Sequence, residues 1–321
     1  MATGGTISSR SRQGRMIATD DASGLLERSP VSGITVASVD VMRLGSYQMQ
    51  HSDLRVLSDA VNDAMALTGD DAVVGIVITH GTDTIEESAL LLDLIHDDPR
   101  PIVFTGAQRS ADTPDTDGPR NLADAIALAG SPAARGLGVL VSFAGAVFAA
   151  RGTRKVHTTS PLAFDTPDSG AIGHIRNGLV VITMTPRRSP PFPRPTEHFD
   201  STRVDVVTMH PGADDTLIRA SVQAGARGVV IAGSGLGNSN SAVVAAVEEL
   251  TRQGVIFCLS TRVGAGPVEP VYGNGGGADL VSAGALIVPA LPAFQARILL
   301  ALLLSARDTS PDVRRMLREF S

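Results

Sequence analysis

Two short segments of this 321-residue chain place a threonine in a glycine turn. Thr3-Gly4-Gly5-Thr6-Ile7 lies near Met1, and Thr79-His80-Gly81-Thr82-Asp83-Thr84 ends the apolar run Val73–Thr79. Each turn sets a hydroxyl beside exposed backbone N–H groups, and a glycine turn that leads into a helix N-terminus attracts a phosphate, a carboxylate or a developing oxyanion. Taken singly, each is better read as a helix cap, with Asp83 or Thr84 closing the first turn of the helix that follows. Neither fits G-x-G-x-x-G or the P-loop and no lysine follows either one, so nucleotide binding is a poor reading. The lysine count shifts the balance. Of the 27 lysine and arginine residues only Lys155 is lysine, and lysine, unlike arginine, can lose its proton in a tuned site. In Arg154-Lys155-Val156-His157-Thr158-Thr159 it reads by itself as a surviving surface residue. Two Gly-Thr turns, the Asp83 carboxylate and a lone lysine together point to an activated threonine nucleophile.

The elements that must position these residues follow an α/β pattern, with short β-branched runs alternating with longer amphipathic stretches. Strands are predicted at Val73–Thr79, Pro101–Thr105, Gly138–Phe143 and Val180–Thr185, and helices at Ser52–Leu67, Thr84–His96 and Arg120–Ala129. Ile85, Ala89, Leu92 and Ile95 share one helical face. Further on, strands at Val204–Met209, Gly228–Ala232 and Val255–Ser260 alternate with helices at Asp214–Ala224 and Ser241–Arg252. An apolar helix, Ala293–Ser305, precedes an amphipathic tail, Asp312–Phe320, opened by Thr309, Ser310 and Pro311. Pro186, Pro190, Pro191, Pro193 and Pro195 stiffen the chain and exclude helix or central strand. The expected organisation is a larger N-terminal domain over 1–185 with a mostly parallel, helix-flanked sheet, a linker over 186–203, and a smaller α/β domain over 204–321.

Composition excludes several classes. Net charge is −6 with 19% charged residues, and a sequence pI near 5.6 argues against a nucleic-acid binder. Arg10, Arg12 and Arg15 read as part of a solvated loop. Cys258 is the only cysteine, which rules out an internal disulfide or zinc ribbon and leaves a buried structural thiol. The longest apolar run, Ile298–Leu304, falls far short of the roughly 18 residues of a membrane span. No signal peptide is recognisable after Met1, so a cytoplasmic location is expected. The seven histidines show no metal-ligand spacing such as H-E-x-x-H, and no metal or organic cofactor is expected.

The ordered set of motifs resembles the bacterial-type L-asparaginases of the asparaginase/glutaminase family. It comprises both threonine turns, Gly106-Ala107-Gln108-Arg109, Asp117-Gly118-Pro119-Arg120-Asn121-Leu122, Lys155, His174-Ile175-Arg176-Asn177-Gly178, Gly235-Leu236-Gly237-Asn238 and Ala296-Arg297-Ile298-Leu299-Leu300. The resemblance implies an amidohydrolase that converts L-asparagine to L-aspartate and ammonia. Thr6 would attack the side-chain amide, Thr82, Asp83 and Lys155 would form a second hydroxyl–carboxylate–amine cluster, and Asp83 would pair with the substrate ammonium. Ser46 matches a position that holds the substrate carboxylate, with Tyr47 beside it, and Gly81 and Ala107 match backbone contacts. It also implies a homodimer or homotetramer with shared sites, to which Asn238 and either Tyr272 or Glu269 would contribute across the interface. Tyr272 reads equally as an aromatic plug beside a glycine loop. Rival readings are a glutaminase-leaning or D-asparagine-tolerant amidase, an amidotransferase subunit, and a non-catalytic amino-acid-binding protein.

Two departures from the family pattern carry expectations. The stretch Ser8–Ser23 contains no tyrosine, and Met16 lies near the place where relatives carry one. Family members also have a strand before the first threonine motif, for which this chain offers only Met1 and Ala2. Loss of that strand would leave sheet groups unpartnered and Thr6 unsupported, predicting poor stability or weak activity.

Overall fold

A computed structural model describes residues 1–29, 33–288, 291–306 and 310–320. The chain divides into two compact units, Met1–Phe192 and Pro193–Ser321.

In the first unit the strands are β1 (Ala2–Gly4), β2 (Ser9–Arg12), β3 (Arg15–Ala18), β4 (Asp40–Leu44), β5 (Ile76–Thr79), β6 (Ile102–Thr105), β7 (Val139–Phe143), β8 (Ala146–Ala149), β9 (Arg154–Lys155), β10 (Phe164–Asp165), β11 (Gly173–Arg176) and β12 (Leu179–Ile182). The helices are α1 (Ala22–Glu27), α2 (His51–Met65), α3 (Ile85–Ile95) and α4 (Gly118–Gly130). The main sheet runs in the order β12-β11-β8-β7-β6-β5-β1-β4. From β4 to β7 all neighbours are parallel; β7, β8, β11 and β12 continue as antiparallel pairs. The period of two along a strand divides the core. Ile76, Ile78, Ile102, Phe104, Val139 and Val141 face Leu57 and Val61 of α2 and Ile85, Ala89 and Leu92 of α3. Val103, Leu140 and Val147 face Ala125, Leu128 and Ala129 of α4. Strands covered on both faces read as continuous apolar runs, which is why β5 to β7 were legible.

The run predicted from Val73 enters the sheet only at Ile76. A Cβ on Gly75 would lie 2.4 Å from the Ala129 carbonyl oxygen, so the chain passes close beneath the end of α4 before pairing begins. The run predicted to Thr185 leaves the sheet after Ile182, where the N–H groups of Thr183 and Met184 both donate to the Ile172 carbonyl. The three arginines expected in a solvated loop instead belong to the β2–β3 hairpin, closed by Gln13 and Gly14, both at positive φ. Two such residues make the turn that matches hairpin twist, and Asp20 accepts from Arg10 at 2.8 Å. Met16 lies on β3. The strand expected to be missing is also corrected. Ala2–Gly4 fills a place between β4 and β5, with Ala2 opposite both Asp40 and Thr79, and the Thr3 hydroxyl donates to the Thr79 carbonyl at 3.0 Å.

In the second unit α5 (Glu197–Ser201), β13 (Val204–Thr208), α6 (Thr216–Gln223), β14 (Gly228–Gly233), α7 (Ser241–Arg252), β15 (Ile256–Thr261), α8 (Gly277–Ser282), β16 (Leu286–Ile287), α9 (Ala293–Ala306) and α10 (Ser310–Glu319) follow in order. β13 to β16 form one parallel sheet in sequence order. One face packs on Ile218, Val243, Val247 and Leu250; α9 packs on β13 to β15. Gly228 admits α9, since a Cβ there would lie 2.6 Å from Leu300 Cδ2. Cys258 is buried within β15, and burial pushes its thiol up to about 12. The cap expected at Thr309 lies outside the described residues.

The proline-bearing stretch is tied to the end of α3 at two points. Arg188 donates to the His96 carbonyl and the Phe192 N–H donates to the Leu94 carbonyl, both just past or within the end of α3. Glu197–Ser201, expected as linker, form α5, because Phe199 is wholly buried and α5 packs on α9.

Candidate active site

Adjacent parallel strands release their following loops on one edge of a sheet, which is where open α/β folds gather reactive groups. Here β4, β1, β5 and β6 release Gly45-Ser46, Gly5-Thr6, His80-Gly81-Thr82 and Gly106-Ala107 side by side. Glycines let these loops close on one another. Gly5 has φ 83, and a Cβ there would lie 2.4 Å from Gly81 Cα. A Cβ on Gly4 would meet the Leu44 carbonyl oxygen at 2.4 Å, one on Gly81 would meet Ser46 Oγ at 2.5 Å, and one on Gly106 would meet the His80 carbonyl oxygen at 2.5 Å. Backbone packs on backbone at Gly4, Gly5 and Gly106, and Gly81 packs on the Ser46 side chain, so a residue without a side chain fits best at each point.

Thr82 is 4% exposed. Lys155 Nζ donates to Thr82 Oγ1 at 2.8 Å and to Asp83 Oδ1 at 2.8 Å. The Lys155 side chain is 18% exposed, whereas Asp83 is 53% exposed and open to a ligand. The Lys155 backbone N–H donates to Glu86 Oε2 at 3.1 Å, and burial raises the Glu86 carboxyl above its usual range. A hydroxyl held by an amine that an adjacent carboxylate orients is the general nucleophile–base–orienter constellation.

Around Thr6 the turn is secured by its neighbours. The Gly5 carbonyl accepts from Ser8 Oγ at 3.0 Å, Ser9 Oγ at 2.7 Å and the Ser8 N–H at 3.1 Å. The Ser46 hydroxyl is buried with no hydrogen-bond partner among the described residues, while its carbonyl accepts from Thr84 Oγ1 at 3.1 Å. Tyr47 is 74% exposed next to it. Ala107 is wholly buried, which leaves only its backbone to offer.

Three supports were missed in the sequence. Wholly buried His80 has Nδ1 2.7 Å from the Gly81 carbonyl, which can only accept, so Nδ1 carries the proton and Nε2 accepts from Ser88 Oγ at 3.0 Å. Burial lowers its pKa to about 4, against a smaller opposing contribution from the Gly81 carbonyl. Asp117 accepts the N–H groups of Gln108 and Arg109 and the Asn121 amide, and Asn121 also donates to the Gly106 carbonyl at 3.0 Å. Ser8 and Ser9 secure the Thr6 turn. The Asp117–Asn121 motif was visible in the sequence; its role as a clamp on the Gly106–Arg109 loop was not.

Asn238, Glu269 and Tyr272 come together in the second unit. Asn238 Oδ1 accepts the Gly277 N–H at 3.0 Å, the Glu269 N–H donates to the Leu236 carbonyl at 3.0 Å, and the Tyr272 carbonyl accepts the Ala278 N–H at 3.0 Å. Tyr272 is 57% exposed and Glu269 is exposed. Among the described residues no group of three or more His, Cys, Asp or Glu is placed to hold a metal ion, and no helix is long and apolar enough to cross a membrane.

Fold and site thus define an α/β protein with a hydroxyl–amine–carboxylate cluster at the carboxyl edge of a parallel sheet. Residues 1–188 match the family model described as Asparaginase, N-terminal, and residues 203–317 match the Glutaminase/Asparaginase C-terminal domain. The chain belongs to the asparaginase family. It is 35% identical over 322 residues to a probable L-asparaginase of Deinococcus radiodurans, covering 98% of this chain and 94% of that one. It is 32% identical over 309 residues to an L-asparaginase of Bacillus licheniformis, covering 95% and 94%. The crystal structure of a probable cytoplasmic L-asparaginase from Campylobacter jejuni superposes with a TM-score of 0.86 at 27% identity, covering 99% of this chain and 97% of that chain.

Proposed function

We propose that this protein hydrolyses L-asparagine to L-aspartate and ammonia. The observation that carries the reading is Lys155 Nζ at 2.8 Å from both Thr82 and Asp83, on a loop whose Gly81 packs against Gly5, the residue before Thr6. In this reading Thr6 Oγ1 adds to the carboxamide carbon and its proton passes to the leaving nitrogen. Ammonia departs, a β-aspartyl ester remains on Thr6, and water cleaves it to return the hydroxyl. Thr82 and Lys155 move the protons, and Asp83 binds the substrate ammonium. The partnerless Ser46 hydroxyl takes the substrate carboxylate, because a buried hydroxyl left unpaired costs about 1–3 kcal/mol that a ligand would recover. Tyr47 lines the same end, and backbone groups of Gly81 and Ala107 contact the substrate. A backbone donor to the oxyanion is worth roughly 3–4 kcal/mol.

The active form is a homodimer or homotetramer in which Asn238 and Tyr272 or Glu269 complete the partner's site. A cytoplasmic location is supported by the likeness to the probable cytoplasmic L-asparaginase of Campylobacter jejuni. Neither metal nor organic cofactor takes part. The test is ammonia release from L-Asn, L-Gln and their D-forms, before and after chelation, with Thr6→Ala and Thr82→Ala as controls. Turnover of L-Asn that both substitutions abolish supports the reading; binding without turnover would leave an amino-acid-binding protein. Mixing inactive Asn238→Ala and Thr82→Ala chains tests the shared site, since hybrid oligomers would regain one intact copy.

A further inference from the structure

Lys155 stands on a strand of two residues outside the main sheet. β9 pairs with β10 alone, with Lys155 opposite Phe164, and the neighbouring ladder bond runs from the Val156 N–H to the Ala163 carbonyl at 2.8 Å. A two-stranded ribbon is marginal by itself, so something else must fix where the amine emerges. Thr153 supplies one anchor below it, its hydroxyl lying 2.8 Å from Thr166 Oγ1. A second anchor is Glu86, whose Oε2 takes the Lys155 backbone N–H at 3.1 Å.

Glu86 stands in the first turn of α3, three residues after Asp83 and four after Thr82. One five-residue segment therefore grips Lys155 at both ends, by its backbone through Glu86 and by its amine through Thr82 and Asp83. The hydroxyl and the amine are then fixed in one frame, and displacement of β9 relative to that frame changes the separation of Nζ and Oγ1 directly. The geometry points to Glu86 as the positioning residue of the amide hydrolysis, setting the distance between Lys155 and Thr82 without touching substrate. This rests on the asparaginase reading above. It also distinguishes Glu86 from an acidic residue placed only to favour a helix N-terminus, because such a residue would have no bearing on Lys155.

The test uses the fact that the chain has a single lysine. Lysine labelled with 13C gives one side-chain spin system, which reports Lys155 whether or not turnover is measurable. Three variants are compared with the parent: Glu86→Gln, which keeps an acceptor at the same reach; Glu86→Asp, which keeps the charge but withdraws the acceptor by one methylene; and Glu86→Ala. The expected result is a kcat for L-asparagine lowered about 10–100-fold in the Asp and Ala variants, with KM within about threefold, as a misplacement near 1 Å produces. Their Lys155 13Cε resonance should move from its parental position. Glu86→Gln should restore kcat to within about threefold and return the resonance. If the Ala chain fails to fold, the Asp and Gln pair decides. A Gln variant as impaired as Asp, or Asp and Ala variants with parental kcat and parental resonance, overturns the proposal. Absence of amide turnover in the parent refutes the functional reading, while the lysine resonance still decides the Glu86 contact.

Discussion

The two threonine turns look alike on paper and are built differently. The Thr82 turn is braced from every side. His80 beneath it is wholly buried and hydrogen-bonded at both ring nitrogens, Thr84 is tied to the Ser46 carbonyl, and Lys155 bonds Thr82 and Asp83 together. The Thr6 turn has the Gly5 carbonyl held by Ser8 and Ser9 and then runs into an exposed hairpin whose Arg10 pairs with Asp20. Rigidity suits a group that must keep a proton path at fixed length; a turn next to an adaptable hairpin suits a hydroxyl that must bond to substrate and release it. On the proposed reading, the difference separates proton handling at Thr82 from bond making at Thr6.

The largest expected effect tests that separation. Thr6→Ala and Thr82→Ala should each lower kcat by at least about 10³-fold, near 4 kcal/mol in the barrier. Lys155→Arg should match Thr82→Ala and add little in the double variant, because groups acting as a unit are not additive. A Lys155→Arg enzyme with near-parental turnover would break the argument, since arginine keeps the charge and cannot titrate.

Next comes acid sensitivity of the braced turn. His80 has a folded pKa of about 4 against an ordinary 6.5. The unfolded chain takes up this proton first, so stability is whole above pH 6.5 and falls as pH drops toward 4. The loss amounts to about 3 kcal/mol at 1.36 per pK unit. Urea melts at pH 7 and pH 4 should show a smaller fall for His80→Gln than for the parent.

Gly5→Ala should cost about 2 kcal/mol, because it places a side chain at φ 83 against Gly81. Its melting temperature would read this, and turnover should fall with it, as the two turns lose their mutual packing. Smallest is Asp20→Ala at the hairpin base, where partly exposed ion pairs are worth under about 1 kcal/mol. Its effect should appear in KM before it appears in melting.

Much of this was legible in the residues because it followed from local chemistry. The buried strands β5 to β7, with α3 and α7, announce themselves through apolar runs and helical spacing, and the lone lysine drew attention to Lys155. The edge strand β4 and the antiparallel strands β8 and β11 did not. β4 reads Asp40-Val41-Met42-Arg43-Leu44 with two of its five residues exposed and none buried, and β8 and β11 meet only in three dimensions. The arginine-rich hairpin was hidden because Gln13-Gly14 is a weak turn signal. His80 and Glu86 escaped notice for another reason: their importance lies in what they hold, Gly81 and the Lys155 N–H, and no spacing encodes that.

β1 is three residues long and sits between strands that come later in the chain; the Thr3 hydroxyl bond to Thr79 spans 76 residues. Closing so wide a loop costs entropy before any contact repays it. On the ribosome, Thr6 emerges early and then waits for its neighbours until translation has passed Thr79. On the proposed reading, the Thr6 turn is set only once β5 lies beside β1, so activity regained during refolding should come no sooner than that long-range pairing.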